Sequence, residues 1–466
     1  MKPPDIIQDR RHIYFVGIGG VGMSSLARVL KGCGFRVSGS DLKSSRRTRE
    51  LENEGIEVFI GQQETHFEDV DLVVYSSAIH ADHVEIRQAR EKGIAIHHRA
   101  EVLSSLLNRA QTAVAVTGTH GKTTTTSMIS FVLSRLEKNP TCLIGGDLRN
   151  WGTNMRLGGS GPWVAEVDES DRTHELYRPH YVILTNLEEE HIDHYPTYED
   201  LTASFKKFLG TLSDPGVVIC CKDDARLDLL VAASGRPRIT FGLSQEADFS
   251  ASNIRLFPYG SEFDLLEAGF QTLHVELSVP GIHNILNATA ALALLMQLGI
   301  PAEQAALSLK EFCGAKRRLE VLWEDERLVV IDDYAHHPTE LRYSLEAMKV
   351  MRKNTTVVFQ PHRFSRTQRF YKEFAETLKL ADRILLMDVY GAGERVSDPS
   401  GAGLIERSLA ERGRNDVRIL RKNELLAVLQ ELEFQDDVLA FVGAGDIGEI
   451  AHEFVSRIKG AHSVAG

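Results

Sequence analysis

The sequence contains no apolar run close to the roughly 20 residues that span a bilayer. Its first residues, MKPPDIIQDRR, also lack the apolar core of a signal peptide. We therefore expect a cytoplasmic protein with no membrane partner. The five cysteines are odd in number and show no CxxC spacing, which favours buried free thiols over disulfides or a zinc site. Basic residues are outnumbered, with 53 Lys+Arg against 65 Asp+Glu and a net charge of -12, which argues against nucleic acid as a partner.

What the sequence does contain is a long alternation of apolar runs and polar turns over 466 residues, too long a chain for a single core. This pattern predicts an α/β protein with three domains. We predict an N-terminal Rossmann-like domain (residues 1–109), a central P-loop ATPase-like domain (residues 110–315) and a C-terminal Rossmann-like domain (residues 316–466). A change in composition at residues 312–322 is interpreted as an interdomain hinge.

Residues 113–127, AVAVTGTHGKTTTTS, give the strongest local signal. An apolar run breaks at Gly118 and resumes as a Thr-rich helix start, which predicts a strand, a tight glycine turn and a helix N-terminus. Such a turn points N–H groups at phosphates, Lys122 supplies charge, and the Thr123 hydroxyl suits Mg²⁺. The predicted phosphate-binding residues are Gly118, Thr119, His120, Gly121, Lys122, Thr123 and Thr124. The general pattern places a glycine at Val116 that is missing here, and an ordinary strand–turn–helix junction is the alternative.

Acidic side chains follow the next legible strands of the central domain. WVAEVDESD carries Glu166 at a strand end, and YVILTNLEEEHIDHY ends in a polar cluster that includes His191. Because open parallel sheets hold ligands at this edge, one or two carboxylates among Glu166, Asp168, Glu169 and Asp171 are predicted to bind Mg²⁺ opposite Thr123. His191 is a candidate ligand of a second metal ion. A solvated acidic turn is the alternative. The glycine- and Asn-rich residues 145–161, which include Asn154, are predicted to form a loop at the mouth of a site.

The N-terminal segment RHIYFVGIGGVG is an apolar strand that runs into Gly17-x-Gly19-x-x-Gly22. A second strand ends at Asp41, about 20 positions beyond the turn, as in a dinucleotide-binding fold. A bound diphosphate is therefore expected here, with NAD the default ligand on the motif alone. A bare structural turn is the alternative.

Three later segments contain further candidate residues or motifs. His283 and Asn287 lie four residues apart at the start of an alanine-rich helix, and capping explains one of them but not easily both. In the third domain, polar side chains again follow predicted strands, in DDYAHHPTE and FQPHRFSRT. The closing Gly443-x-Gly445-x-x-Gly448 is interpreted as tight helix packing ahead of nucleotide binding.

In order and spacing, GIGGVGM, GTHGKTTT, EVDESD, TNLEEEHID, HNILNATAA, AKRRLE, DDYAHHPTE and FQPHRFSRT resemble the Mur ligases over nearly the whole chain. The resemblance implies a ligase of peptidoglycan precursor synthesis with ATP and Mg²⁺ as cofactors. It implies that L-alanine is joined to the muramoyl carboxylate of UDP-N-acetylmuramate through an acyl phosphate, by a monomer or a homodimer. A family member that recycles murein tripeptide is the alternative. One departure is Glu190, where the family usually has Asp, so the metal geometry there stays open.

The same resemblance assigns residues to the substrates. It replaces NAD by a UDP-sugar at the N-terminal turn, with Gly17, Gly19, Gly20, Gly22, Asp41 and Asn154 as its contacts. It places Glu166 and His191 at two metal sites and His283 and Asn287 near adenine. It also brings Arg318 and Asp332 to the nucleotide. The amino acid and the muramoyl carboxylate are assigned to Tyr334, His336, His362, Arg363 and Arg366.

The implied chemistry needs charge neutralisation, because a carboxylate must approach a triphosphate. Lys122, His191 and Arg318 are the predicted catalytic residues. A base, either His191 or a histidine of the third domain, keeps the alanine amine unprotonated. A P-loop switch that hydrolyses ATP without an acceptor and an NAD-dependent oxidoreductase are the rival classes.

Overall fold

The computed structural model describes residues 6–61, 67–80, 82–191, 194–352, 354–394 and 401–464, without the side chains of residues 271–272 and 461–464. Helices and strands alternate along this part of the chain, and the strands form three sheets. The α/β prediction is thus confirmed. Contacts divide the chain into two compact units: unit 1 is Met1–Ala251, Leu265–Leu273 and Asn287–Leu309, and unit 2 is Ser252–Asp264, His274–Leu286 and Lys310–Gly466. The domain limits given above stay a prediction.

The first sheet lies in unit 1. Its strands are β1 (His12–Val16), β2 (Arg36–Asp41), β3 (Glu57–Ile60), β4 (Leu72–Tyr75) and β5 (Ala95–His98), and its helices are α1 (Val21–Gly32), α2 (Arg46–Asn53), α3 (Val84–Glu91) and α4 (Arg99–Leu107). The five strands are parallel in the order β3-β2-β1-β4-β5. The order reverses at β1, so the loop after β1 is the switch point at which such sheets hold ligands. Tyr14 and Val16, two residues apart, share one core with Val73 and Ile86.

The second sheet is larger. Its elements are β6 (Ala113–Thr117), α5 (Lys122–Arg135), β7 (Thr141–Leu148), β8 (Thr153–Arg156), β9 (Trp163–Glu166), a 3-10 helix (Thr173–Leu176), β10 (Tyr181–Leu184), α6 (Tyr198–Gly210), β11 (Val217–Cys221), α7 (Ala225–Ala233), β12 (Arg238–Gly242), β13 (Phe249–Phe257), β14 (Gly260–Glu267), β15 (Phe270–Leu277), α8 (Ile282–Gln297) and α9 (Ala302–Leu309). The strand order is β15-β14-β13-β12-β11-β10-β6-β9-β7-β8. Because β6 lies between β9 and β10 and is parallel to both, the turn after β6 is flanked by the segments that follow these strands.

Residues 145–161 do not form the predicted loop. β7 and β8 pair antiparallel, so this stretch is largely a β-hairpin. The prediction was wrong because glycine and asparagine are as common in hairpin turns as in loops at a site mouth.

The third sheet lies in unit 2. Its elements are β16 (Glu320–Glu324), β17 (Leu328–Asp333), α10 (Pro338–Met348), β18 (Asn354–Phe359), α11 (Phe364–Leu378), β19 (Arg383–Met387), α12 (Gly401–Ala410), β20 (Arg418–Leu420), α13 (Lys422–Glu431), β21 (Asp437–Val442) and α14 (Ile447–Val464). The order is β16-β17-β21-β18-β19-β20, and only β16 pairs antiparallel among these strands. In β21, Val438 and Ala440 enter one core and Leu439 and Phe441 another, so helices cover both faces of the sheet.

The structure bears on two expectations from the sequence, the state of the cysteines and the absence of a membrane-spanning helix. None of the five cysteines, all of which lie in described residues, forms a disulfide. Cys142, Cys220 and Cys221 are buried, whereas Cys33 and Cys313 are exposed. The expectation of buried thiols therefore holds for three of them. Within the described residues, every helix is too short or too polar to cross a bilayer.

Candidate active site

The turn between β6 and α5 has the left-handed glycines that the sequence predicts. Gly118 has a φ of 118° and Gly121 a φ of 84°. A Cβ on Gly118 would lie 2.5 Å from Thr185 Oγ1, so the turn is packed against the end of β10. The N–H of His120 donates to Asn186 Oδ1 at 2.9 Å, which fixes the turn further. The loop shape is thus imposed by the neighbouring strand as well as by its own glycines.

Lys122 is held inside this turn. Its Nζ donates to Gly118 O at 2.6 Å, Thr119 O at 3.1 Å and Glu169 Oε1 at 2.9 Å. Burial lowers the pKa of Lys122, but the carboxylates of Glu169 and Asp168 outweigh burial and raise it. The ammonium group is therefore charged at neutral pH and is balanced by buried carboxylates.

Oxygen ligands for Mg²⁺ meet at the start of α5. Thr123 Oγ1 donates to Glu166 Oε1 at 3.1 Å, and Gly145 N donates to Glu166 Oε2 at 2.7 Å. A hydroxyl and a carboxylate are ligands that Mg²⁺ prefers, so the predicted pair fits the ion. Thr124 is buried in the same helical turn, and Thr119 accepts the N–H of Glu188 at 2.8 Å.

A second possible metal cluster surrounds His191. Ligand atoms of Asp168, Glu169 and His191 lie within 4.8 Å of one another, and His191 Nε2 is 3.4 Å from Glu169 Oε1. Burial raises the pKa of Asp168, but the charges of Lys122 and His191 lower it to about 2. Both carboxylates are thus ionised at neutral pH, and this donor set fits a divalent cation.

The two candidates for adenine contact lie in different units. Asn287 belongs to unit 1, where its Oδ1 accepts the Thr125 hydroxyl at 3.2 Å. A Cβ on Gly121 would lie 2.6 Å from the same oxygen, so Asn287 packs against the turn between β6 and α5. His283 belongs to unit 2, where its ring contacts Tyr343. Burial and the nearby charge of Arg318 lower the pKa of His283 to about 4, so its ring is neutral.

The N-terminal turn is closed by Asp41. Gly19 N donates to Asp41 Oδ2 at 2.9 Å, and Gly20 N donates to Gly17 O at 3.2 Å. A Cβ on Gly19 would lie 2.8 Å from Asp41 Oδ2, so glycine is required there by this carboxylate. Gly22 is the second residue of α1 and lies beside Arg99.

Asn154 is 1 % exposed and ties the β7–β8 hairpin to this region. Its Nδ2 donates to Val21 O at 3.2 Å and to Ile144 O at 3.1 Å. It therefore lies beside the N-terminal turn, where the resemblance places a substrate contact.

The segment around Arg318 is fastened to the third sheet. Arg317 and Leu319 have φ values of 56° and 48°, and Leu319 N donates to Asp333 Oδ2 at 2.7 Å. Asp332 is 0 % exposed and pairs with Arg317 Nε at 3.3 Å. Arg318 Nη1 lies 3.5 Å from Glu340 Oε1. These contacts hold the segment against the third sheet, and the interdomain hinge stays a prediction.

The residues assigned to the amino acid form one cluster in unit 2. Tyr334 and His336 make an edge contact with ring centroids 5.4 Å apart, and the rings of His336 and His362 are 5.9 Å apart. Arg366 Nη1 lies 3.1 Å from His362 Nδ1. Arg363 Nε is 3.7 Å from Glu394 Oε1 at the edge of the cluster.

Two residues near these sites, Arg99 and Tyr390, carry no assignment from the sequence. Glu169 is one of the acidic residues that the sequence offers for Mg²⁺, but its role as the partner of Lys122 depends on the fold. Tyr390 stacks on His362 at 5.7 Å and follows a parallel strand, the signal used for the other residues of the cluster. Arg99 directly follows the parallel strand β5, so the same signal could have identified it.

Comparison with known proteins gives matches along most of the chain. Residues 12–111 match the catalytic domain of the Mur ligase family, residues 116–295 the Mur ligase middle domain, and residues 317–445 the Mur ligase glutamate ligase domain. UDP-N-acetylmuramate–L-alanine ligase from Pelotomaculum thermopropionicum is 40% identical over 453 residues, 97% of this chain and 98% of that protein.

Solved structures agree with these matches. The crystal structure of UDP-N-acetylmuramate-alanine ligase from Thermotoga maritima has a TM-score of 0.83 and 33% identity, and the match covers 97% of this chain and 99% of that one. A murein peptide ligase from Psychrobacter arcticus has a TM-score of 0.72 and 24% identity, over 96% of this chain and 98% of that one. The second match reports on the fold alone.

Proposed function

The chain belongs to the Mur ligase family, and from this premise we propose that it joins L-alanine to the muramoyl carboxylate of UDP-N-acetylmuramate in a reaction driven by ATP. The observation that carries the proposal is similarity to a ligase of that name over 97% of the chain at 40% identity. No specific feature favours the tripeptide-recycling alternative.

The proposed reaction has two steps. A muramoyl carboxylate oxygen attacks the γ-phosphorus of ATP, the bond to the bridging oxygen breaks, and ADP leaves an acyl phosphate behind. The amine of L-alanine then attacks the acyl carbon, loses a proton to a base, and displaces inorganic phosphate to form the amide. No redox partner is needed.

Charge control is the main contribution of the protein in this proposal. Lys122 lies in the phosphate loop and carries a raised pKa, so it offers a fixed positive charge to the terminal phosphates. Mg²⁺ bound by Thr123 and Glu166 would supply further positive charge to the same phosphates. Gly118 and Gly121 let the backbone of the loop follow the phosphate chain closely. His191 is proposed as the ligand of a second metal ion.

The remaining assignments extend the proposal beyond the phosphate loop. The N-terminal turn takes the diphosphate of the UDP-sugar, and Asn154 supports that turn from the hairpin. The aromatic and histidine cluster around Tyr334 takes the amino acid, with Arg363 and Arg366 as candidates for its carboxylate. Arg318 and Asp332 are proposed to serve the nucleotide from their fastened segment.

Phosphate release tests the proposal directly. We expect rapid release only when ATP, Mg²⁺, UDP-N-acetylmuramate and L-alanine are all present, with the alanyl product visible by mass spectrometry. Omission of any one component should reduce release to background. Equal phosphate release without the UDP-sugar would instead indicate an ATP-hydrolysing switch. A product that forms with murein tripeptide and not with L-alanine would indicate the recycling ligase.

A further inference from the structure

Arg99 is a half-buried arginine beside the N-terminal glycine turn. It is the first residue of α4. A Cβ built on Gly22 would lie 3.1 Å from Arg99 Nη1 and 3.6 Å from its Cζ, so the guanidinium lies against the start of α1. Among the residues that the structure describes, its side chain has no hydrogen bond or ion pair to a protein group. Its five N–H donors are thus available to an anionic ligand.

The charge of Arg99 also reaches the acidic segment after β9. It is one of the positive charges that lower the pKa of Asp168, after the larger effects of burial, Lys122 and His191. Arg99 therefore lies near the N-terminal turn and near the segment that contacts the phosphate-loop lysine. An anionic group bound beside it would lie at the junction of these two parts of unit 1.

His98 holds the start of α4 in place. Ala100 N donates to His98 Nδ1 at 3.3 Å, so the ring proton is on Nε2. Nε2 then donates to Ser77 Oγ at 3.0 Å, and the Ser77 hydroxyl donates to Asp171 Oδ2 at 2.6 Å. Burial lowers the pKa of His98, which keeps this arrangement of protons at neutral pH.

This chain of hydrogen bonds connects the β5–α4 junction to the loop after β9. The helix start is rigid as well, since Glu101 Oε2 accepts the N–H of His98 at 2.7 Å and completes a capping box. Arg99 is thus presented from a fixed backbone, which reduces the entropy that an arginine loses when it binds a ligand.

We propose that Arg99 binds an anionic group of the UDP-sugar, either its diphosphate or its muramoyl carboxylate, and that His98 is the positioning residue that holds Arg99 there through Ser77 and Asp171. This inference rests on the proposed function, because it takes the UDP-sugar as the ligand of the N-terminal turn.

Calorimetry on the full chain tests the role of Arg99. Arg99→Ala should weaken binding of UDP-N-acetylmuramate by about 10- to 100-fold, the size expected for hydrogen bonds to a charged group. Binding of a non-hydrolysable ATP analogue should stay within about twofold. The matched control is Arg36→Ala, which removes the same charge from the exposed start of β2, where Arg36 faces Glu57 at 3.8 Å. That control should bind the UDP-sugar like the wild type.

A second ligand identifies the anionic group. An equal loss of affinity for UDP indicates the diphosphate, whereas a loss only for UDP-N-acetylmuramate indicates the carboxylate. Unchanged affinity for both ligands in Arg99→Ala overturns the inference. A wild-type protein that binds no UDP-N-acetylmuramate contradicts the proposed function instead.

A double-mutant comparison tests the positioning role of His98. His98→Ala should weaken UDP-sugar binding in the wild type but add less than about twofold in the Arg99→Ala background, since both changes remove the same contact. His98→Gln, whose amide can still donate to Ser77, should recover part of the affinity. Fully additive losses in the double variant would show that His98 does not act through Arg99.

Discussion

At the scale of single residues, the pair of Lys122 and Glu169 leads to a prediction on pH. Glu169 is 1 % exposed, and its pKa, which burial alone would raise, is lowered by Lys122 and His191. Its stabilising contribution is therefore present above the unfolded pKa of about 4.3 and is lost as the pH falls through the lower folded pKa. In Lys122→Ala the burial persists without the ammonium group, so the pKa of Glu169 should rise and its charged form should destabilise the fold.

We expect the loss of unfolding free energy in Lys122→Ala to be larger at pH 7 than at pH 4 and to reach about 1–3 kcal/mol. Urea unfolding across this pH range measures it. Lys206→Ala, which removes an exposed lysine from α6, is the control and should show no such trend. A loss that is equal at both pH values would mean that the pair does not stabilise the protein. Ligation should be abolished in Lys122→Ala at every pH.

Arg363 and Arg366 should differ when each is replaced by alanine. Arg366 is 6 % exposed and contacts both Nδ1 and the backbone O of His362 at 3.1 Å. Arg366→Ala should therefore destabilise the fold and raise KM for L-alanine, because His362 loses its support. The side chain of Arg363 is 34% exposed, so Arg363→Ala should raise KM by about 10-fold with little loss of stability.

Initial rates at varied L-alanine, with ATP and the UDP-sugar saturating, distinguish these outcomes. Arg369→Ala, at an exposed position of α11, the helix that contains Arg366, serves as the control and should keep the wild-type KM. Wild-type KM values in both Arg363→Ala and Arg366→Ala would show that these arginines do not hold the carboxylate of the amino acid.

At the scale of elements, two glycines of helix α14 should respond in opposite ways to alanine. A Cβ on Gly448 would lie 2.8 Å from Asp332 Oδ2 and 3.0 Å from Arg317 Nε, whereas one on Gly460 would meet no atom of the described residues within 4 Å. Gly448→Ala should cost about 1–3 kcal/mol through overpacking. Gly460→Ala should gain about 0.5–1 kcal/mol, because alanine is the better helix former.

Thermal unfolding of the two variants measures this difference, and each is the control for the other. Equal stability of both variants would mean that the closing glycine motif has no packing role. Gly445 of the same motif is also close to Gln360 and Tyr390. Packing alone therefore accounts for the expected loss of stability in Gly448→Ala, without a bound nucleotide. The interpretation of this motif as tight packing agrees with these contacts.

Elements were predictable where one short segment carries the whole signal. The strand–turn–helix of residues 113–127 is local, because the left-handed φ of Gly118 and Gly121 and the buried run before them are written in adjacent residues. The β7–β8 hairpin was missed, because its glycines and asparagines are as typical of a loop as of a hairpin turn. Sequence spacing identified Asp41 and Gly19, but it did not show that the carboxylate of Asp41 accepts the N–H of Gly19 in the turn.

At the scale of the whole molecule, parallel strand order explains why residues that follow different strands meet. Such residues reach the same edge of their sheet, so Thr123 contacts Glu166 and His191 contacts Glu169. Their roles in metal binding stay predictions. Arg99 also obeys this rule, because it comes directly after the parallel strand β5. The contact of its guanidinium with Gly22 depends instead on the packing of α4 beside α1, which a single sequence does not reveal.

Choice of the amino acid is a property of the whole chain, and it gives the last prediction. Similarity to a named L-alanine ligase extends over 97% of the residues, which motivates L-alanine as the preferred acceptor. One methyl group in an enclosed pocket is worth about 1–3 kcal/mol, so kcat/KM for glycine should fall by about 10- to 200-fold without reaching zero. Serine, which adds a hydroxyl, should likewise be a poor but detectable substrate.

Murein tripeptide should give no more product than a reaction that lacks any amino acid, which is the control. A glycine kcat/KM equal to that of L-alanine would show that no enclosed methyl pocket exists, and tripeptide turnover faster than L-alanine turnover would assign the chain to the recycling ligases. Competition between the acceptors, followed by mass spectrometry of the products, decides among these results in a single reaction mixture.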